Sequence, residues 1–477
     1  MSDYLIAFGV LATTGLLLLA APRGMKRAGW GHSARPLTHV LSGVLSAAMI
    51  WMVDDRTALL VVTAAAVPLL IAAVEFGLLG SMQAGSRWRD YGFAAYAAGL
   101  ALSVAFFFPD RRSIITALLV LALADPAAAI VGRRFGRTHV EVLGARRTLE
   151  GSASFAVTAF AVTVVGLTGS GMGLGRLLGL AVFTALTCAA VELVVPSTLD
   201  NLLVPLWAGF LLHLHATVPD PRGVPYLAGL ATAAVLGWGV HRAGWLDLPG
   251  AVAAFFTAAC ALTLGGPAWL LPALVFLATT SVLSKVKAAA GQARRGLEQT
   301  VVNGVVPVLP VLGFQLTGDW TWYAVHVAAL SVACADTFAS EIGRLAGRAP
   351  RSLRGLRRVE AGTSGAVTWP GSLGSLGGAA VVALPAAALA PAGERFTVLV
   401  VAMFIGPLGM LIDAALGAWL QARYTCATCK ARTEQPQHCG VRAVPAAGVR
   451  GLTNERVNLA ANAAGGLLAL NALFLLP

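Results

Sequence analysis

Six carboxylates lie beside glycines, arginines and amides near the ends of apolar runs: Asp125, Glu150 and Asp200 in the first half, Asp336, Glu341 and Asp413 in the second. Around the first set stand Gly132, Arg133 and Gly136, the pair Arg146-Arg147, and Asn201. Around the second stand Arg295, Asn303, the run Gly362-Thr363-Ser364-Gly365, and Asn454 with Asn458 one helical turn later. Carboxylates of this kind can hold Mg²⁺, which bridges phosphate oxygens. Arginines offer those oxygens paired donors, and glycines let backbone N–H groups come close to a phosphate. Phosphoryl transfer needs little beyond such positioning and charge neutralisation. We therefore expect Mg²⁺ at Asp125 and Asp200 and at Asp336 and Asp413. The same arginines can also be read as topology signals, and the amides as helix caps or interhelical hydrogen bonds. No P-loop, kinase glycine-rich loop or Ser/His/Asp elbow occurs, which excludes the soluble kinase folds.

A second cluster reads C-x2-C-x8-H-C: Cys426, Cys429, His438 and Cys439. It offers four zinc ligands; free thiols are the other reading. A cytoplasmic placement argues against a disulfide. Cys188, Cys260 and Cys334 stand alone in apolar runs and read as small packing residues.

The elements that must position these groups are membrane helices. The chain has 477 residues, 57% hydrophobic and 12% charged, with mean hydropathy +0.77. Soluble domains carry about 25% charged residues, so a soluble or disordered chain is excluded. Recurring apolar runs predict an all-α, polytopic integral membrane protein of about sixteen spans. Those bearing the chemistry are expected near 113–131, 153–169, 175–195, 200–218, 304–316, 321–335 and 397–418, with Pro307 and Pro310 interrupting the shortest. Only Asp3, and no basic residue, precedes the first run, which makes it a retained helix and not a signal peptide.

With both termini outside, 28 of the 34 basic residues fall on one face, the cytoplasmic one. The net charge of +12 then reads as topology and phosphate handling, not as a nucleic-acid footprint. Trp30, Trp51, Trp320 and Trp322 read as interfacial anchors. Arginine outnumbers lysine 30 to 4, the usage of a GC-rich genome, and points to a bacterial inner membrane.

The rare acidic residues recur at a nearly constant spacing. Asp125 and Asp336 differ by 211, Glu150 and Glu360 by 210, and Asp200 and Asp413 by 213. Arg146-Arg147 maps onto Arg357-Arg358, and "RRTLEGSAS" (146–154) onto "RRVEAGTSG" (357–365). This predicts two tandem, parallel halves, 1–218 and 224–477, with an insertion carrying the Cys/His cluster at 421–455.

The strings of the first half resemble the phytol kinase and dolichol kinase family: "ALADPAAAIVGRRFG" (122–136), "RRTLEGSASF" (146–155) and "LDNLLVPLWAG" (199–209), preceded by "RPLTHVLSG" (35–43), with His39 in the family's histidine position, and "RDYG" (89–92). Arg147-Thr148 departs from the family's more usual Lys-Ser or Lys-Thr. The resemblance implies phosphorylation of an isoprenoid alcohol, with CTP as the typical donor. The second half resembles the phytyl-phosphate kinases, a membrane domain of formerly unknown function. Its strings are "RRGLEQTVVNG" (294–304), "ADTFASEIG" (335–343), "VEAGTSGAV" (359–367), "DAALGAWLQ" (413–421), "CATC" (426–429), "HCG" (438–440) and "GLTNERVN" (451–458), with Glu455 where that family more often has Asp.

The combined expectation is a two-step kinase taking an isoprenoid alcohol of the phytol or geranylgeraniol type to its monophosphate and then its diphosphate. Its partners would be membrane lipids, the alcohol and monophosphate, and a nucleoside triphosphate. Asp125, Glu150 and Asp200 would bind metal or nucleotide at the first site, with Arg146 and Arg147 on phosphate. Asp336, Glu341 and Asp413 would serve the second, with Thr363 and Ser364 at phosphate. A CTP-dependent lipid-phosphate cytidylyltransferase and a transporter of an anionic solute are the two rival readings.

Overall fold

A computed structural model describes residues 2–27, 34–78, 91–142, 145–195, 198–218, 224–286, 296–355, 357–360 and 363–475. The chain divides into two compact units, one of Met1–Pro221 with Pro225–Ala231, the other of Arg222–Val224 with Thr232–Pro477. The first contains α1 (Ser2–Arg27), α2 (Ala34–Met52), α3 (Arg56–Glu75), α4 (Gly92–Phe107) and α5 (Arg111–Phe135). A hairpin of β1 (His139–Val142) and β2 (Ala145–Thr148) leads to α6 (Leu149–Leu167), α7 (Leu174–Val194) and α8 (Asp200–Thr217).

After α9 (Tyr226–Arg242) the second unit runs through α10 (Leu248–Gly265), α11 (Pro267–Val286), α12 (Leu297–Thr317) and α13 (Thr321–Leu345). Strands β3 (Arg351–Ser352) and β4 (Ala366–Val367) pair before α14 (Trp369–Leu389) and α15 (Arg395–Trp419). A lobe of five short strands then precedes α16 (Asn454–Leu475).

Among the described residues, nine helices are long and apolar enough to cross a membrane, and four shorter apolar helices accompany them. Length and composition by themselves therefore do not establish the sixteen spans expected. The loops also hold short β-hairpins that an all-α reading does not contain.

Both units turn the same corner between two helices. Helix α5 begins on Asp110, whose carboxylate accepts from Ser113 N at 3.2 Å, and ends with Arg133 and Arg134 in its last turn. Cations there favour the negative end of the helix dipole. The hairpin then delivers Thr148, whose hydroxyl accepts from Gly151 N at 3.1 Å and starts α6. In the second unit Thr368 caps α14 in the same way, accepting from Gly371 N at 3.1 Å, with Pro370 in the first turn.

The close crossing is alike in detail. A Cβ added at Gly132 would lie 2.7 Å from Thr148 Oγ1 and 3.6 Å from Gly151 Cα; at Gly343 it would lie 2.7 Å from Thr368 Oγ1 and 3.6 Å from Gly371 Cα. Glycine is needed because the capping threonine sits against the preceding helix.

This geometry corrects the alignment drawn from the strings. Gly132 and Gly343 are 211 apart, but Thr148 and Thr368 are 220 apart, as are Gly151 and Gly371. Nine additional residues lie within the second hairpin. Arg147 therefore corresponds to Val367 and Glu150 to Pro370, while Arg357, Arg358 and Glu360 belong to the longer connection. Asp200 and Asp413 are not equivalent either. Asp200 opens α8, whereas Asp413 lies inside α15, the first helix after the corner helix. Asp413 follows Gly371 by 42 residues, and Glu192, on α7, follows Gly151 by 41.

The core of the second unit lies where α13, α15 and α16 meet, at Val325, Val332, Val401, Ile405 and Ala461. Glycines 406, 409 and 465 bring these helices close, the small-residue contact that replaces a hydrophobic driving force in lipid.

Candidate functional site

In the first unit the corner places two groups of polar side chains. Asp125, on α5, has His39 Nδ1 of α2 at 3.9 Å from its Oδ2, and lies within electrostatic range of Asp200. The second group centres on Arg147. Its guanidinium pairs with Glu192 near the end of α7, lies 2.9 Å from Asp200 Oδ2, and donates to the Val195 carbonyl at 2.9 Å. Ser152 donates to Glu192 Oε2 at 3.0 Å. The Glu192 and Asp200 side chains are only 9% and 4% exposed. Burial opposes the arginine's charge, but Glu192 and Asp200 outweigh it and hold the guanidinium more firmly protonated than usual.

The structure thus brings Arg147 and Asp200 together and adds Glu192, a residue not picked out from the sequence. The signal was available: a lone carboxylate within an otherwise apolar helix is costly unless paired. Arg146 faces Glu141 across the hairpin and is exposed, as is Arg133. Glu150 sits apart from the buried cluster and accepts from Thr138 N at 3.1 Å, bracing the start of the hairpin. Asn201 is buried and donates to the Gly92 carbonyl at 3.0 Å, tying α8 to the start of α4. Gly132 and Gly136 both pack against Thr148, so the helix crossing uses their missing side chains.

In the second unit Asp336 and Asp413 converge on a small cavity, lined also by Asn303, Asn458 and Asn462. The two carboxylates are within electrostatic range of each other. With its amide turned to donate, Asn458 lies 2.7 Å from Asp413 Oδ1 and 3.3 Å from the Asn454 carbonyl. Asn462, also not singled out beforehand, donates to the Val302 carbonyl at 3.0 Å and to Asn303 Oδ1 at 3.1 Å.

Asn303 reaches this position from a π-helical turn, Val301–Val305, within α12. Turns of this kind often mark functional positions. Asp336 lies within its helix and not just past its end, as the expected span 321–335 had it, because α13 continues nine residues beyond Asp336. Glu341 is not on the cavity and pairs with Arg344. The Ser364 N–H is taken by Glu434 at 3.2 Å, and Thr363 Oγ1 donates to the Glu360 carbonyl at 2.8 Å. Arg295 and Gly362 fall outside the described residues.

A larger, mostly apolar pocket adjoins the same site. Leu246, Phe276 and Leu277 line it, and Gln299, Thr300 and Asn303 form its polar wall. Asn303 belongs to both cavities. The Cys426, Cys429, His438 and Cys439 side chains also converge, with ligand atoms all within 4.8 Å of one another. Hydrogen bonds from the Cys429 backbone and the His438 side chain hold the Cys426 thiol down at about 6, against the opposing effect of desolvation.

Residues 231–466 match the family described as integral membrane protein DUF92. The chain is 34% identical over 152 residues to the phytol kinase of Synechocystis sp., covering 30% of this chain and 65% of that one. It is 33% identical over 94 residues to an uncharacterized membrane protein of Methanocaldococcus jannaschii, covering 19% of this chain and 37% of that one. Identity to Protein PGR of Arabidopsis thaliana is 29% over 213 residues, 38% of this chain and 74% of that one. The chain thus spans just under two thirds of the length of the first relative and about a third of the second. No solved structure matches. Apolar helices and the family match together make this a polytopic helical membrane protein.

Proposed function

We propose that the protein is a two-step isoprenoid kinase, the first unit converting an isoprenoid alcohol to its monophosphate and the second converting that monophosphate to the diphosphate. The observation that carries the reading is the shared wall at Asn303: a pair of carboxylates lies directly beside an apolar cavity. A phosphorylated lipid needs that juxtaposition, with its head group among oxygen ligands and its chain among Leu and Phe side chains. The similarity to phytol kinase supports the substrate class.

The donor sets fit Mg²⁺, a hard cation that takes carboxylate oxygens. Asp336 and Asp413 would hold it in the second unit, and Asp125 in the first, where Asp200 is already engaged by Arg147. When bound, the ion would neutralise charge on the nucleotide phosphates. The donor would be CTP or another nucleoside triphosphate.

In each step an oxygen of the lipid attacks the γ-phosphorus, the new P–O bond forms as the bond to the bridging oxygen breaks, and the nucleoside diphosphate leaves. The two nucleophiles make different demands. An alcohol must lose its proton, and Asp125 or its neighbour His39, 3.9 Å away, would accept it. A monophosphate oxygen is already ionised at neutral pH, and the second cavity is lined by Asn303, Asn458 and Asn462 without a histidine among the described residues. Arg133 and Arg146, both exposed at the corner, would meet the incoming triphosphate, while Arg147 holds the corner together.

The test gives the purified full chain phytol or geranylgeraniol with Mg²⁺ and CTP or ATP, and identifies the products by mass. Asp125→Asn should stop the first step while added monophosphate is still converted; Asp336→Asn should accumulate monophosphate. Release of pyrophosphate with CMP retained on the lipid would establish a cytidylyltransferase instead. Loss of both steps in either folded variant would overturn the division between units.

A further inference from the structure

The insertion between α15 and α16 folds as a β lobe built around its cysteines. Strand β5 (Arg423–Thr425) pairs with β6 (Arg432–Thr433) and β9 (Val444–Ala447), and β7 (Gln437–His438) pairs with β8 (Val441–Arg442). Two tight turns present the ligands. In the first, Cys429 N donates to Cys426 Sγ at 3.5 Å, and Lys430 adopts φ 58°. In the second, Cys439 adopts φ 53° and Gly440 φ 73°. Left-handed backbone at two residues that are not glycine is uncommon and persists where surrounding contacts impose it.

Three of the four ligand atoms stand at the spacing of one coordination shell, and Cys426 Sγ lies within 4.8 Å of each of them. Cys429 Sγ and Cys439 Sγ lie 3.4 and 3.2 Å from His438 Nδ1, and 3.7 Å from each other. Tetrahedral zinc, with Zn–S of about 2.3 Å and Zn–N of about 2.0–2.1 Å, requires S···S edges of roughly 3.8 Å and S···N edges of roughly 3.5 Å. A disulfide would need its sulfurs about 2.0 Å apart. Three soft thiolates with one imidazole favour zinc over the hard cations expected at the carboxylates.

The lobe is fastened to the rest of the second unit by polar contacts. Glu434 accepts from Ser364 N at 3.2 Å and from Gln421 Nε2 at 2.9 Å. Arg423 donates to the Ser364 carbonyl at 3.2 Å and to the Gly417 carbonyl at 3.2 Å, at the end of α15. Gly365, at φ +72°, packs against Ala418, where a Cβ would meet backbone. The chain that the lobe grips therefore lies against the helix that carries Asp413.

We propose that Cys426, Cys429, His438 and Cys439 bind one structural Zn²⁺, and that the closed lobe clamps residues 363–365 onto the end of α15 through Glu434 and Arg423. This stands independently of the kinase reading, because metal content and clamp are measured without substrate.

The test measures zinc by mass spectrometry in the full chain purified without chelator. We expect about one zinc per chain, lost in the Cys429→Ser/Cys439→Ser double variant. Because that variant could misfold, the wild-type protein is also stripped with a chelator and reloaded with Co²⁺, which should give the visible bands of a tetrahedral thiolate site. Stripping should open the 363–365 connection to limited proteolysis, and Glu434→Gln should do so with zinc retained. Wild-type protein without zinc, zinc that survives the double substitution, iron in its place, or a Cys429–Cys439 disulfide would overturn the site. Unchanged proteolysis on stripping would overturn the clamp.

Discussion

Replacing Arg147 tests most directly how the first unit is held together. Its guanidinium bridges Glu192 and Asp200 where both side chains are less than a tenth exposed, and also binds the Val195 carbonyl. Truncation to alanine leaves two buried carboxylates without their cation. Breaking a buried pair from one side costs about 3–5 kcal/mol. For a unit of this size each kcal/mol lowers the melting temperature by roughly 2–4 °C, so Arg147→Ala should melt roughly 6–20 °C lower. Thermal unfolding of the detergent-solubilised protein, followed by tryptophan fluorescence, would measure it. Arg147→Lys should fall between, because a single ammonium cannot reproduce the two-sided fork. Adding Glu192→Gln and Asp200→Asn to Arg147→Ala should recover much of the loss, since neutral amides remove the uncompensated charge. The reasoning is refuted if Arg147→Ala melts within about 2 °C of wild type while losing phosphoryl transfer. That pattern would make the arginine a phosphate ligand and not the tie described.

Two further substitutions probe the shared corner and the second site. Gly132→Ala and Gly343→Ala each drive a methyl to 2.7 Å from a capping threonine hydroxyl. Overpacking of about 1–3 kcal/mol should exceed the roughly 1 kcal/mol gained in helix propensity, and the two losses should be alike; chemical or thermal melts of both variants check it, and unequal signs would deny the equivalence. Asp413→Asn removes the charge facing Asp336, so conversion of added monophosphate should drop about 10²–10³-fold while the melting temperature holds or rises; retained turnover would remove Asp413 from the site.

Membrane class, rough helix positions and four of the five polar side chains that line the small cavity of the second unit were legible in the sequence because each depends on local composition. Asp336, Asp413, Asn303 and Asn458 were identifiable as polar groups in apolar surroundings, where burial is costly without a purpose. The same rule, applied to every apolar run, would have found Glu192 and Asn462. The helix–hairpin–helix corner was only half legible. Matching strings put Asp125 and Asp336 at the same distance before the corner glycines but slipped nine residues beyond them, because the Arg357-Arg358 pair in the longer second connection imitates Arg146-Arg147 of the first hairpin.

What the sequence determined by itself was an apolar, basic chain with few carboxylates, those inside apolar runs too costly in lipid to be incidental. Only the tertiary structure decided which of them act together. It paired Arg147 with Glu192 and Asp200, left Glu150 to brace a turn, and joined a polar and an apolar cavity at Asn303. Those pairings depend on where helices cross and where a loop of altered length re-enters the fold. Side chains 45 to 159 residues apart meet across such crossings, and no local pattern along the chain records that distance.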